Sequence, residues 1–160
     1  MTSNKNQNGN ENKVPTAEVR RFLESAGEAL LECKRIARRV EQLSLRCEKL
    51  VRSEGVGNPS ETLRELWRLL EEERVRETEA VRHEMRRYRE VEDFIAALPD
   101  PTARTILRRR YLDGDTTWVR ICFRLERDGV YYSERQVYRL YEQAMATAAS
   151  LFRAKQAVSA

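Results

Sequence analysis

The apolar positions in the first third of the chain follow a helical period. From Val19 to Val51, apolar or small residues recur at alternating steps of four and three over about four heptads. This stripe predicts a helix that packs along another helix and ends near Arg52. Thr16 can cap its start. Residues 1–15 are Asn-rich and lack periodic apolar positions, so we predict a disordered tail there.

A second stripe follows a run of helix-breaking residues. Residues 53–59 read Ser-Glu-Gly-Val-Gly-Asn-Pro, the clearest loop in the sequence, and Ser60 can cap a helix that continues to Leu98. Arg74 and Glu77 interrupt its stripe at seam positions, where polar residues can fix the register or mark a partly open stretch. Two long helices joined by a short loop predict an antiparallel hairpin. Parallel pairing between chains, which would give an oligomer, is the alternative that the pattern leaves open.

Shorter elements are predicted after Leu98. Asp100 can cap a helix that starts at Pro101 and that Asp113-Gly114-Asp115 ends. A further helix is predicted from about Thr117, and its inward face comprises Trp118, Ile121, Cys122 and Leu125. Asp128-Gly129 then turns the chain. The pattern predicts an all-α fold with a coiled-coil-like helical hairpin at residues 16–98 (loop 53–60), a helix-turn-helix domain at residues 99–153 and a frayed tail at residues 154–160.

The last helix has a sharply defined start, because Ser133 and Gln136 have the spacing of a capping box. Its inward residues are predicted to be Val137, Leu140, Tyr141, Ala144, Met145, Ala148 and Leu151. The outer surface of its first turns is left to Glu134, Arg135, Tyr138 and Arg139. In a recognition helix such turns enter the major groove, where Arg suits guanine, Gln suits adenine and Glu can accept from cytosine. An ordinary capped amphipathic helix with a polar face is the alternative interpretation.

Charge is unevenly distributed along the chain. The formal net charge is +4, whereas residues 102–160 alone hold 11 Lys/Arg and 6 Asp/Glu. A basic excess in the last third favours a polyanionic partner. A basic cluster at Arg104 and 108–110 lies one helix before the motif. Contacts to the phosphate backbone, which would make binding strongly salt-dependent, are predicted for Arg108, Arg109, Arg110, Arg120 and Arg124.

Residues 106–145 also carry a family resemblance. It rests on Ile106-Leu107-Arg108-Arg109-Arg110-Tyr111-Leu112-Asp113-Gly114, Thr117-Trp118, Ile121, Tyr132-Ser133, Arg135-Gln136-Val137-Tyr138-Arg139-Leu140 and Ala144-Met145. This pattern resembles phage late-gene transcriptional regulators of the RinA/ArpU type, whose C-terminal part is similar to the helix-turn-helix of region 4 of bacterial sigma factors. One departure is an insertion in the turn at residues 126–131, which either lengthens the preceding helix or forms a loop that itself touches DNA.

The resemblance implies a sequence-specific regulator that binds double-stranded DNA in the cytoplasm of a bacterial host and can contact RNA polymerase. The recognition helix is expected at about 133–149 in the major groove. The positions that correspond to base-reading residues are Glu134, Arg135, Gln136, Tyr138 and Arg139. Tyr132 and Ser133 join the expected backbone contacts, although of Tyr131 and Tyr132 one ring is expected to pack and the other to face phosphate.

Other classes of function fit less well. His83 lies among Arg and Glu on a charged helix face, and the chain has no Gly-rich phosphate loop, nucleophile motif or metal-ligand spacing, so neither an enzyme nor a cofactor is expected. Three scattered cysteines suit reduced cytoplasmic thiols, and no apolar run predicts a membrane span. Self-association through the helical arm is a further expectation. The alternatives are a packaging protein similar to a terminase small subunit and a coiled-coil scaffold or adaptor.

Overall fold

The computed structural model describes residues 16–55 and 57–160, so the tail predicted at residues 1–15 lies outside it. Every regular element in the described residues is a helix, which confirms the predicted all-α class. The elements are α1 (Ala17–Glu54), α2 (Glu61–Ala96), α3 (Pro101–Leu107), a π-helical turn that continues α3 (Arg108–Leu112), α4 (Trp118–Arg127) and α5 (Glu134–Ser159). Within this part of the chain, no helix combines the length and apolar character that a membrane crossing requires.

The chain divides into two compact units. One is Glu24–Asp93, the helical hairpin. The other, which we call the C-terminal unit, consists of two segments: the described residues up to Leu23, and Phe94–Ala160. Helix α1 therefore contributes its first turns to one unit and the rest of its length to the other.

In the hairpin, α1 and α2 run antiparallel along a thin seam. Glu28 lies beside Arg87, with 3.6 Å between Oε2 and Nη2, whereas residues 47–52 face residues 67–74 at the other end. The buried residues of the seam are Ala26, Ala29, Ile36, Cys47, Leu63, Leu70, Glu84 and Val91. The predicted intrachain hairpin is thus what the structure shows.

The polar residue that the seam buries is Glu84 rather than Arg74. Glu84 is 8% exposed and accepts a hydrogen bond of 2.7 Å from Arg87, which also reaches Glu28 on α1. Burial and the nearby Glu84 carboxylate raise the pKa of the Cys33 thiol. Arg74 is exposed and bonds to Glu71 on its own helix, so its part of the seam is an open stretch.

The C-terminal unit has a core in which α3 and α4 both pack on α5. Its buried apolar residues are Val19, Leu23, Phe94, Ile95, Leu98, Ala103, Ile106, Leu107, Leu112, Ile121, Leu125, Val137, Tyr141, Ala144, Met145, Ala148 and Ala149. Of the inward residues predicted on α5, Leu140 and Leu151 are only half-buried. The predicted cap of α3 is confirmed, because the Asp100 carboxylate accepts from the backbone N–H groups of Thr102 and Ala103 and Pro101 is the first helical residue.

Candidate nucleic-acid interface

Helices α4 and α5 form the two helices of the predicted motif, and an apolar cluster fixes one against the other. Ile121 and Leu125 of α4 meet Val137 of α5 in a buried group. Half-buried side chains complete the cluster, namely Trp118, Cys122 and Tyr132. Because these contacts involve the first turns of α5, the start of that helix is positioned by the core of the unit.

The connection between the two helices is a Schellman cap. Gly129 adopts a φ of +85°, a left-handed conformation that favours glycine. Its N–H donates to the Glu126 carbonyl at 3.0 Å, and the Val130 N–H donates to the Leu125 carbonyl at 2.9 Å, which is the paired bonding of that motif. Residues 126–131 therefore complete the last turn of α4 and form its hydrogen-bonded cap.

The start of α5 is the predicted capping box. Ser133 Oγ accepts from the Gln136 N–H at 3.3 Å, and Gln136 Oε1 accepts from the Ser133 N–H at 2.8 Å. A bidentate bond to adenine would need both the carbonyl oxygen and the amide nitrogen of the Gln136 side chain. Since the oxygen is already engaged, Gln136 acts in this structure as a capping residue, and base reading by it would require that bond to be given up.

Replacing Ser133 by Ala should lower the free energy of unfolding of the C-terminal unit by about 0.5–2 kcal/mol, the usual effect of losing an N-cap acceptor. The measurement is urea unfolding of the full chain followed by far-ultraviolet circular dichroism. Ser133→Asp, which keeps an acceptor at the cap, is the matched control and should remain close to wild type. An Ala variant as stable as the Asp variant would show that the capping box contributes nothing measurable.

The remaining predicted base-reading residues, Glu134, Arg135, Tyr138 and Arg139, are all exposed. Arg135 and Arg139 lie one helical turn apart and therefore share a face. The Tyr138 ring packs edge-on against Trp118, with ring centroids 5.5 Å apart, and is 45% exposed. Burial and the charge of Glu134 raise the pKa of the Cys122 thiol.

Arg109, Arg110 and Arg124, which were predicted to contact the DNA backbone, are engaged inside the protein. Arg109 donates to Asp113 and to Asp128, each at 2.9 Å, and so ties the π-helical turn to the end of α4. Burial opposes the charged form of Arg109, but these two hydrogen bonds outweigh it and raise the pKa of the guanidinium. The Arg109 guanidinium therefore stays charged and stabilises the contact between the π-helical turn and the end of α4.

Arg110 and Arg124 hold the segment between the π-helical turn and α4. Arg110 donates to the backbone carbonyls of Asp115 and Thr116, and its guanidinium lies 4.9 Å from the centroid of the Trp118 ring. Arg124 Nε is 3.1 Å from Asp115 Oδ2 and forms an ion pair with it, although that oxygen accepts no hydrogen bond. Asp115 is 1% exposed, so Arg124 compensates a buried charge.

Fewer of the predicted DNA-contacting arginines are exposed than the sequence indicated. Arg108 and Arg120 are exposed, and so are Arg135 and Arg139. Of the two adjacent tyrosines, Tyr132 packs on the apolar cluster, whereas Tyr131 is 76% exposed. Ser133, predicted as a backbone contact, is occupied as the cap of α5.

The acceptors that engage these arginines were not predicted from the sequence. In the sequence, Asp113 and Asp115 were interpreted only as residues that end a helix, and Asp128 only as part of a turn. A signal was present: the basic run 108–110 is followed within a few residues by two aspartates, as a locally neutralised segment would be.

The fold defines a class: an all-α protein with a long helical hairpin and a C-terminal unit that carries a helix-turn-helix. Comparison with protein-family models, with curated proteins and with solved structures finds no match for this chain.

Proposed function

We propose that this protein is a sequence-specific double-stranded DNA-binding transcriptional regulator and that the first turns of α5 enter the major groove. The observation that carries the proposal is the start of α5. It is fixed by a capping box and by packing against α4, and it exposes Arg135 and Arg139 on one face. A rigid helix start with exposed arginines is what base-edge recognition requires, because Arg pairs with guanine in a bidentate geometry.

Phosphate contacts are assigned to the exposed arginines outside α5. Arg120 lies in the first turn of α4, where the backbone N–H groups of a helix start also favour an anion. Arg108 is exposed at the beginning of the π-helical turn. Arg109, Arg110 and Arg124 support the proposal indirectly, since they hold the turns that present these residues.

The biological setting is proposed on the sequence resemblance alone. The motif at residues 106–145 resembles phage late-gene regulators of the RinA/ArpU type, so the proposed role is control of phage or prophage late genes in a bacterial host. In this role RNA polymerase is a second partner.

The test is a selection of bound fragments from random duplex DNA at about 0.15 M salt, an ionic strength at which weak nonspecific contacts are screened. Wild type should enrich a defined motif, and the Arg135→Ala, Arg139→Ala double variant should lose it. Each lost base contact should weaken binding to the enriched motif by about 1–3 kcal/mol.

Two further variants make the selection specific. Arg38→Ala with Arg39→Ala removes the same charge from an exposed face of the hairpin and should leave the motif and the affinity unchanged. Arg120→Ala should weaken binding to all sequences alike and reduce the salt slope by about one, as expected for one phosphate contact. Salt-sensitive binding without enrichment would instead support a packaging role, and the absence of binding would overturn the proposal.

A further inference from the structure

A groove runs along one flank of the hairpin near its loop. It has a volume of about 490 Å³ and lies between the last turns of α1 and the first turns of α2. Its apolar lining consists of Cys47, Val51, Trp67 and Leu70. Trp67 is 37% exposed, so more than a third of this large residue is uncovered beside the buried Cys47 and Leu70.

We propose that a second copy of this chain packs on this groove and that two hairpins associate side by side. This inference does not depend on the proposed DNA-binding function. The core of the hairpin is thin, because two of its seven buried apolar residues are alanines, Ala26 and Ala29. Small units whose core is thin commonly gain stability from oligomerisation.

The charge pattern along the rim of the groove also favours a second copy as the partner. Each helix contributes one acid and one base a turn apart: Glu48 and Arg52 on α1, at 4.0 Å, and Glu71 and Arg74 on α2, at 2.9 Å. The rim is therefore neutral, and a strongly acidic or basic partner would meet like charge on half of it. A two-fold axis passing between such an acid and base sets the acid of each copy opposite the base of the other, so the rim is self-complementary.

The residue types in and around the groove are also those found in protein interfaces. Trp and Arg are the residue types that most often dominate association energies, especially when an aromatic ring sits at the centre and charged groups surround it. Trp67 lies in the groove, and Arg52 and Arg74 lie on its rim. The outer face of α1 offers a contrast, because Leu45 is 50% exposed but does not line the groove.

The experiment is sedimentation equilibrium of the full chain between about 1 and 100 µM, the range in which an interface of moderate affinity dissociates. Wild type should be dimeric at the upper end. Trp67→Ala should weaken the dimer at least tenfold, whereas Leu45→Ala, the matched control on the outer face, should leave it unchanged. Circular dichroism of each variant verifies that the helices are retained.

Charge-reversal variants test whether the rim of this groove forms the interface. Glu48→Arg with Glu71→Arg makes the rim wholly basic, and Arg52→Glu with Arg74→Glu makes it wholly acidic. Each variant alone should be monomeric, and an equimolar mixture should form a heterodimer. Since both variants lose the same intrahelical pairs, recovery on mixing cannot come from restored folding of either one.

A wild type that remains monomeric at the highest concentration would overturn the inference. So would a dimer insensitive to Trp67→Ala, or a mixture that stays monomeric. DNA binding by α5 is measured separately on the same variants, so failure of the DNA-binding proposal is distinguishable from failure of this one.

Discussion

Replacing Arg124 by Met should destabilise the C-terminal unit by about 3 kcal/mol, because it leaves a buried carboxylate without its counter-charge. Asp115 is 1% exposed, and Arg124 Nε lies 3.1 Å from its Oδ2. Although the Arg124 side chain is itself 42% exposed, the charge that the substitution leaves behind is the buried one. The loss of stability is therefore determined by the burial of Asp115 and not by the exposure of Arg124.

Urea unfolding measures this effect, with tryptophan fluorescence as the probe. The chain has two tryptophans, so a Trp67→Phe background leaves Trp118, which packs on Tyr138 and Tyr141 in the C-terminal unit, as the sole reporter. Adding Asp115→Asn to Arg124→Met should recover part of the lost stability, because the unpaired charge is then gone. A double-mutant cycle gives the coupling directly.

The opposite result would assign Arg124 a different role. If Arg124→Met unfolds like wild type but binds DNA more weakly at every sequence, the arginine is a phosphate contact, as the sequence predicted. If stability falls and the folded fraction binds DNA normally, it is the structural brace that the ion pair to Asp115 indicates.

Replacing Phe94 by Ala should cost about 3–5 kcal/mol, the range for deleting a large buried ring. Phe94 is 3% exposed and meets two other rings, with centroid separations of 5.2 Å to Phe22 and 6.0 Å to Phe152. Phe22 and Phe152 are themselves 5.3 Å apart. Helices α1, α2 and α5 each contribute one ring, so the substitution removes the point where three helices meet.

The same fluorescence measurement applies, with Val158→Ala as the control, since Val158 is 88% exposed on α5. Within the aromatic cluster, a cycle between Phe22→Ala and Phe152→Ala should give a coupling of about 0.5–1.5 kcal/mol, the usual value for aromatic pairs. A coupling near zero, or a Phe94→Ala variant as stable as Val158→Ala, would show that the three rings do not form a cooperative core.

The structural features that depend on residues close together in the chain could be predicted from the sequence. The two long helices, the capping box at Ser133 and Gln136 and the Asp100-Pro101 start of α3 all follow from periodicities and spacings of a few positions. These features are local because helix hydrogen bonds and caps link residues only a few positions apart. For the same reason the helix starts are close to the predicted ones. The end of α5 is not: the prediction of a frayed tail at residues 154–160 is wrong, because α5 continues to Ser159.

What could not be predicted depends on partners distant in the chain. Arg109 bonds to Asp128, 19 residues away, and only the folded turn between α4 and α5 brings them together. In the sequence, Arg109 looks the same as the exposed Arg108. An arginine run therefore does not distinguish a phosphate-binding surface from a set of internal braces.

The hairpin shows a second limit of periodicity. In this part of α2 the apolar residues Val81 and Met85 are only half-buried, whereas the buried side chain is Glu84. Glu84 tolerates burial because Arg87 supplies both a charge and a hydrogen bond from one turn away. A pattern based on hydrophobicity alone does not include that compensation.

Helix α1 has hydrogen bonding that runs unbroken from Ala17 to Glu54, yet its first turns belong with Phe94–Ala160. In sequence terms the hairpin is thus an insertion: it interrupts the C-terminal unit after Leu23 and returns the chain to it at Phe94. No single contiguous stretch that excludes the hairpin contains the whole C-terminal unit, because Val19 and Leu23 lie on one side of the insertion and the remaining core on the other. An excised fragment of this unit would have to join its two pieces with a new linker in place of the arm.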